Sequence, residues 1–182
     1  MHSRSLPPLL FVDGYNIIGL WPQLRRTRDR HGFEPARRDL TEILLNYSTA
    51  CGWETQLVFD AQYRREPAKQ ETLAPLFHVR YTDFGQTADT YIEKSCARLG
   101  RKADTHPRRF IVATSDRAQQ QMAVGYGAEW MSAYRLASEV ETVRKRVRHQ
   151  QTPKRRSRRA SIDSALDPAT YQQLAKLRMG LS

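Results

Sequence analysis

The stretch Leu9-Leu10-Phe11-Val12-Asp13-Gly14-Tyr15-Asn16 decides how the rest of the chain is read. Four apolar residues run without a break into a carboxylate, then a glycine, an aromatic ring and an amide. A short unbroken apolar run marks a strand buried on both faces, as in the middle of a parallel sheet. Asp13 falls at its carboxyl end, and Gly14 gives the chain freedom to turn there. In open α/β sheets, ligands bind outside the carboxyl ends of the strands. An acid at this place is therefore a candidate site residue.

Outward from that stretch the pattern repeats. Residues 55–60 read Thr-Gln-Leu-Val-Phe-Asp, a second strand that also ends in an acid, Asp60. Residues 77–82 alternate as a third strand, and residues 110–113 form an apolar fourth strand followed at once by Thr114-Ser115-Asp116. Residues 129–131 make a short fifth. Between the strands the spacing predicts helices. One begins near Asn16 and is ended by Trp21-Pro22. A second starts at Pro35 and buries Leu40, Ile43, Leu44 and Tyr47. A third is capped by Thr87, carries Ala88, Ile92, Cys96 and Leu99 inward, and stops at Gly100. A fourth runs from Arg117 to about Val124, and a last one, capped by Ser132, turns Leu136, Val140, Val143 and Val147 inward. Residues 23–32, with Arg25, Arg26, Arg28, Arg30 and His31, read as an exposed loop. So do the polar residues 61–75, which contain two prolines. Strands alternating with helices over short connections predict an α/β fold with a parallel sheet covered by helices.

The chain has 182 residues, enough for one domain with a real core. Its net charge is +11, and the excess is uneven. Residues 1–150 carry 23 basic and 17 acidic side chains, a net of +6; residues 151–182 carry 7 and 2, a net of +5 in a far shorter stretch. Such a distribution points to a polyanionic partner. The expected organisation is a leader over residues 1–8, a domain over 9–149, and a basic, flexible tail over 150–182 with a short helix after Asp167-Pro168. Cys51 and Cys96 stand far apart without a CxxC, which excludes a disulfide framework and fits a reducing, cytoplasmic setting. No apolar run approaches a membrane span, and the histidines show no zinc-ligand spacing.

The acids form a constellation. Asp13, Asp60 and Asp116 follow strands whose carboxyl ends share one edge of a parallel sheet. Asp89 opens the helix after the third strand at the same edge, and Glu93 lies four residues on, on the same helix face. Packed carboxylates repel unless protonated, hydrogen-bonded or neutralised by a cation. An all-oxygen donor set suits Mg²⁺ or Mn²⁺ rather than zinc. Taken singly, Asp13 and Asp116 also suit helix caps, Asp60 a turn, and Glu93 a solvated helix face.

The segments Phe-Val-Asp-Gly-Tyr-Asn at 11–16, Val-Phe-Asp at 58–60, Tyr-Thr-Asp-Phe-Gly-Gln-Thr-Ala-Asp-Thr-Tyr-Ile-Glu at 81–93 and Val-Ala-Thr-Ser-Asp at 112–116 resemble the NYN domain family of PIN-like nucleases, in its YacP-like branch. The resemblance covers about residues 8–148 and leaves the basic extension outside the shared domain. It implies a three-layer PIN-like, Rossmann-like fold whose mostly parallel five-stranded sheet has the order 3-2-1-4-5. It implies a Mg²⁺- or Mn²⁺-dependent endoribonuclease that leaves 5′-phosphate and 3′-hydroxyl ends, acting on messenger, ribosomal or transfer RNA, with the ribosome as a possible partner. Matching positions carry the catalytic set onto Asp13, Asp60, Asp89, Asp116 and Asn16, with Asp13, Asp89, Asp116 and Glu93 towards the metal. Candidate RNA contacts are Arg25, Arg26, Arg28, Arg64 and Arg65 in the domain and Lys154, Arg155, Arg156, Arg158 and Arg159 in the tail. Tyr15, Tyr63 and Tyr126 are candidate base-stacking rings. The rival reading is a non-catalytic RNA- or ribosome-binding module. A phosphohydrolase on a similar sheet is disfavoured because Tyr15 stands where a second Asp is wanted, and a nicotinamide enzyme because no GxGxxG follows a strand.

Overall fold

A computed structural model describes residues 6–61, 68–103, 105 and 107–151. The chain divides after Lys145 into two units, and everything below concerns the first. Its elements run β1 (Leu9–Asp13), α1 (Gly14–Leu20), α2 (Pro22–His31), α3 (Phe33–Cys51), β2 (Glu54–Phe59), β3 (Lys69–Ala74), β4 (Phe77–Tyr81), α4 (Ala88–Gly100), β5 (Phe110–Ala113), α5 (Arg117–Gly125), β6 (Glu129–Met131) and α6, which continues from Ala133 to Gln151.

β1 lies between β2 and β5, parallel to both, and is buried on both faces as its unbroken apolar run requires. Leu10 and Val12 face one core, with Ile17, Ile18, Trp21, Leu24, Leu40, Leu44 and Leu136 from α1, α2, α3 and α6. Leu9 and Phe11 face the other, with Ala88, Ile92 and Cys96 of α4 and Ala123 of α5. The result is helix, sheet and helix in three layers. Fully burying each such side chain contributes about 1.5–3 kcal/mol, so the central strand anchors the fold.

The sheet order is β3-β4-β2-β1-β5-β6. The five parallel strands follow the expected 3-2-1-4-5 order, but the sheet has six strands rather than five. The additional β3 pairs antiparallel with β4 across the Pro75-Leu76 turn, in the stretch read from sequence as loop. β3 is an edge strand, mostly exposed, and so carries no alternating apolar pattern. The other correction is α2. Residues 23–32 read as loop because only Leu24 of that helix is buried. Pro22 at the first helical position and the packing of Trp21, whose indole N–H donates to Ala133 O at 2.9 Å, fix it as a helix. Among the described residues no helix is long and apolar enough to cross a membrane.

Gly14 is required for a different reason from the one expected. Its φ is not positive. A Cβ there would sit 2.2 Å from the Phe59 ring, so the glycine is needed for close approach and not for a turn.

Candidate acidic site at the carboxyl edge

Each acid is placed by the end of a strand or the start of a helix. Asp13 is the last residue of β1 and the N-cap of α1, accepting from the Asn16 N–H at 3.2 Å. Asp116 follows β5 and caps α5, accepting from the Gln119 N–H at 3.0 Å. Asp60 directly follows β2 and takes a hydrogen bond from the Ala88 N–H at the start of α4, with the Thr82 hydroxyl beside it. Asp89 lies in the first turn of α4, behind the Thr87 cap. The helix starts supply N–H groups and a favourable dipole to a group of anions that otherwise repel one another.

Burial first, and mutual repulsion after it, raise three of these carboxyls. Burial pushes the Asp13 carboxyl up to about 6, with Asp89 and Asp60 adding to the shift and the N–H groups of Asn16 and Tyr15 opposing it. Burial also raises Asp60, helped by Asp89. Asp89 is raised by burial of its carboxyl end and by the charge of Asp116, against a hydrogen bond from Gln119. The four carboxylates Asp13, Asp60, Asp89 and Asp116 are thus brought together, and no cationic side chain figures among the groups that set the protonation of the first three.

Glu93 lies one turn further along α4 and, like Asp89 and Asp116, is exposed; it does not figure among the charges that raise Asp89, where Asp116 does. Asn16 joins the site as a tie: its Oδ1 accepts from the Ser115 N–H at 3.2 Å, fastening the end of β1 to the end of β5. Tyr15 is half-buried, packed edge-on against Phe33 and Phe59, and its hydroxyl accepts from Arg37 at 2.8 Å. That ring is part of the packing, not an open stacking surface. Tyr126 caps the far end of α5, at the opposite edge of the sheet. Arg25 and Arg26 are exposed on α2; Arg28 is engaged with Asp29 at 2.7 Å and lies over the Phe33 ring. Arg64, Arg65, Tyr63, Lys154, Arg155, Arg156, Arg158 and Arg159 lie outside the described residues.

Gln119 is a site residue the sequence reading missed. It is 3 % exposed, its Nε2 donates to Asp89 Oδ1 at 2.5 Å, and its Oε1 has no partner among the described residues. The signal was present as Asp116-x-x-Gln119, the spacing of a capping box. In such a box the glutamine would turn back to its own cap; here it reaches across to α4.

The donor set fits a hard divalent cation. All four acids offer oxygen, and the lesser part of the upward shift of Asp13, Asp60 and Asp89, which comes from neighbouring carboxylates, is the part a cation would offset. Among the described residues no three His, Cys, Asp or Glu side chains stand close enough to close on one ion. Mg²⁺ asks for less, since it uses one or two carboxylates directly and keeps several waters.

A mostly parallel sheet of this order, with acids gathered at the carboxyl ends of its central strands, defines a PIN-like α/β domain of the NYN type. The chain belongs to the family described as YacP-like NYN domain, whose profile matches residues 10–179. That match is longer than the 8–148 span of the sequence resemblance and takes in the basic segment. The chain is 37 % identical over 139 residues to "Uncharacterized protein YacP" of Bacillus subtilis strain 168, covering 76 % of this chain and 78 % of that protein. It is similar to two crystal structures of Rae1 (YacP) from Bacillus subtilis, one of a mutant. The mutant matches with TM-score 0.63 and 33 % identity over 94 % of this chain and 96 % of that one. The other matches with TM-score 0.65 and 32 % identity over 94 % and 95 %.

Proposed function

We propose that the chain is a divalent-metal-dependent endoribonuclease that hydrolyses RNA phosphodiester bonds to 5′-phosphate and 3′-hydroxyl ends. The observation that carries this reading is the meeting of Asp13, Asp60, Asp89 and Asp116 at one sheet edge in a chain whose net charge is +11. Repelling acids concentrated in one place of a basic protein favour a cation there, and its surplus of arginine suits a polyanionic substrate.

In this reading Asp13, Asp89 and Asp116 hold Mg²⁺ or Mn²⁺, directly or through water. Bound there, the ion supplies Lewis-acid activation of water and neutralises charge at the phosphate. Asp60, fixed by the start of α4, orients the attacking water. Asn16 keeps the loops bearing Asp13 and Asp116 at a set separation, and Gln119 holds Asp89 in its rotamer. Arg25 and Arg26 attract the RNA backbone without reading its sequence. Family membership supports a nuclease working on RNA, with the ribosome as a candidate platform; the two well-separated cysteines suit the cytoplasm as its compartment.

The test compares wild type with Asp13→Asn on a mixed RNA pool at low salt, with and without Mg²⁺ or Mn²⁺, followed by end-group analysis. Metal-dependent cutting that is absent from the variant supports the reading. Tight, salt-sensitive binding without cutting by either protein, on free RNA and on translating ribosomes, replaces it with the binding-module reading.

A further inference from the structure

Two aromatic side chains stand almost wholly in solvent, Phe84 at 87 % and Tyr134 at 85 % exposure, more than any other large hydrophobic side chain among the described residues. Neither ring stacks on another ring or takes a cation within those residues, and the Tyr134 hydroxyl has no hydrogen-bond partner there. Single exposed apolar residues are ordinary on protein surfaces. The position of these two is not.

Both follow strands at the carboxyl edge. Phe84 lies in the loop between β4 and α4. The Thr82 hydroxyl holds that loop beside Asp60, accepting from the Ala61 N–H at 2.9 Å and donating to Gln86 O at 2.6 Å. Tyr134 lies in the first turn of α6. Its neighbour Ala133 donates its N–H to Ser115 Oγ at 3.2 Å, next to Asp116. In the sheet, β4 and β6 flank β2, β1 and β5, whose ends carry Asp60, Asp13 and Asp116. With strands about 4.8 Å apart, four steps separate the two flanks by roughly 19 Å, with the acids between.

An acidic centre repels the phosphates it has to handle, so the attraction must come from its surroundings. Arg25 supplies part of it, one turn along α2 from Trp21, which is tied to Ala133. Rings supply another part that the acids do not oppose, because every base offers a π face. We propose that Phe84 and Tyr134 are base-stacking platforms on the two flanks of the acidic centre, holding unpaired nucleotides of a single-stranded RNA on either side of the bond presented to Asp13. The inference rests on the ribonuclease reading and adds a substrate class to it. Stacked bases have to be unpaired, so duplex RNA is excluded from both platforms.

The experiment uses the full chain in EDTA, so that nothing is cut, and a short single-stranded oligoadenylate carrying 2-aminopurine. A second probe has the same backbone with abasic positions. Phe84→Ala and Tyr134→Ala are each expected to weaken binding of the first probe about 5- to 100-fold and to lose the fluorescence quenching that stacking produces. The abasic probe is expected to bind wild type and both variants alike. Phe84→Trp and Tyr134→Phe keep the quenching, and Tyr126→Ala, at the other edge, binds as wild type. Because both rings are exposed, the alanine variants should melt with wild type, which a thermal scan verifies. Unchanged binding by both alanine variants, or an equal loss on the abasic probe, overturns the platforms. If wild type still cuts RNA with metal and Asp13→Asn does not, the nuclease reading survives that result. A wild type that neither binds nor cuts RNA overturns both.

Discussion

Gln119 Nε2 on α5 donates to Asp89 Oδ1 on α4 at 2.5 Å, across the two helices that cover one face of the sheet. The bond sets the rotamer of an acid whose own helix gives it no other tie. Gln119→Leu keeps the volume and removes the buried, unpartnered Oε1, while water replaces the donor at Asp89. Stability should stay within about 1 kcal/mol of wild type. Removing a partner of this kind costs roughly 10- to 100-fold in metal affinity. Mn²⁺ titration followed by electron paramagnetic resonance reads the affinity, and equal titrations for the two proteins would leave Gln119 a packing residue.

Asp13 links stability to pH. Its carboxyl rises from 3.8 to about 6 on folding, chiefly by burial. Between those values the folded chain binds more protons than the unfolded one, so this group lowers stability as pH rises through the window and holds it down above about 6. Asn caps a helix as well as Asp does. Asp13→Asn should therefore be more stable than wild type at pH 7, by about 3 kcal/mol, and level with it at low pH. Added Mg²⁺ should raise the melting temperature of wild type at pH 7 more than that of the variant. A variant less stable than wild type at neutral pH would contradict the burial argument.

Gly14→Ala places a methyl group 2.2 Å from the Phe59 ring, which is itself fully buried. Neither the ring nor β1 has room to retreat. The expected loss is about 2–4 kcal/mol, in line with overpacking of a tight core. Urea denaturation measures it. The double variant Gly14→Ala, Phe59→Leu should recover part of the loss, and a loss that the second change leaves untouched would place the strain elsewhere.

Arg25 and Arg26 are exposed on α2, whereas Arg28 is partly spent on Asp29. Replacing Arg25 and Arg26 by Glu should weaken RNA binding across sequences alike. It should also flatten the salt dependence by roughly one unit of slope for each phosphate no longer neutralised. Fluorescence anisotropy over a range of salt concentrations reports both. Weakening confined to one sequence would mean base reading instead.

The residues that pack explain which parts of this fold could be read from its sequence. β1 is legible because all four of its apolar residues are buried, alternately against two cores. The Thr87 cap of α4 and the Ser132 cap of α6 are legible because capping is a local hydrogen bond, from Thr90 N–H in one case and Arg135 N–H in the other. α2 and β3 were not, because one buries little and the other lies at an edge. The acids that follow three parallel strands announce the site, since strand direction alone carries their ends to one side of the sheet.

The chain by itself determined the alternation of parallel strands with helices, the edge at which the acids gather and the sign of its charge, while the strand order came from its resemblance to a known family. The first two follow from local pattern and strand direction, the third from composition. Tertiary structure alone decided that Glu93 stays in solvent while Gln119 reaches Asp89, that Asn16 fastens two loops, that Tyr15 is packed and Phe84 is bare. Those outcomes depend on which helix lies beside which. Spacing along a chain records the face a side chain shares within its own element, and nothing of the neighbour that face will meet.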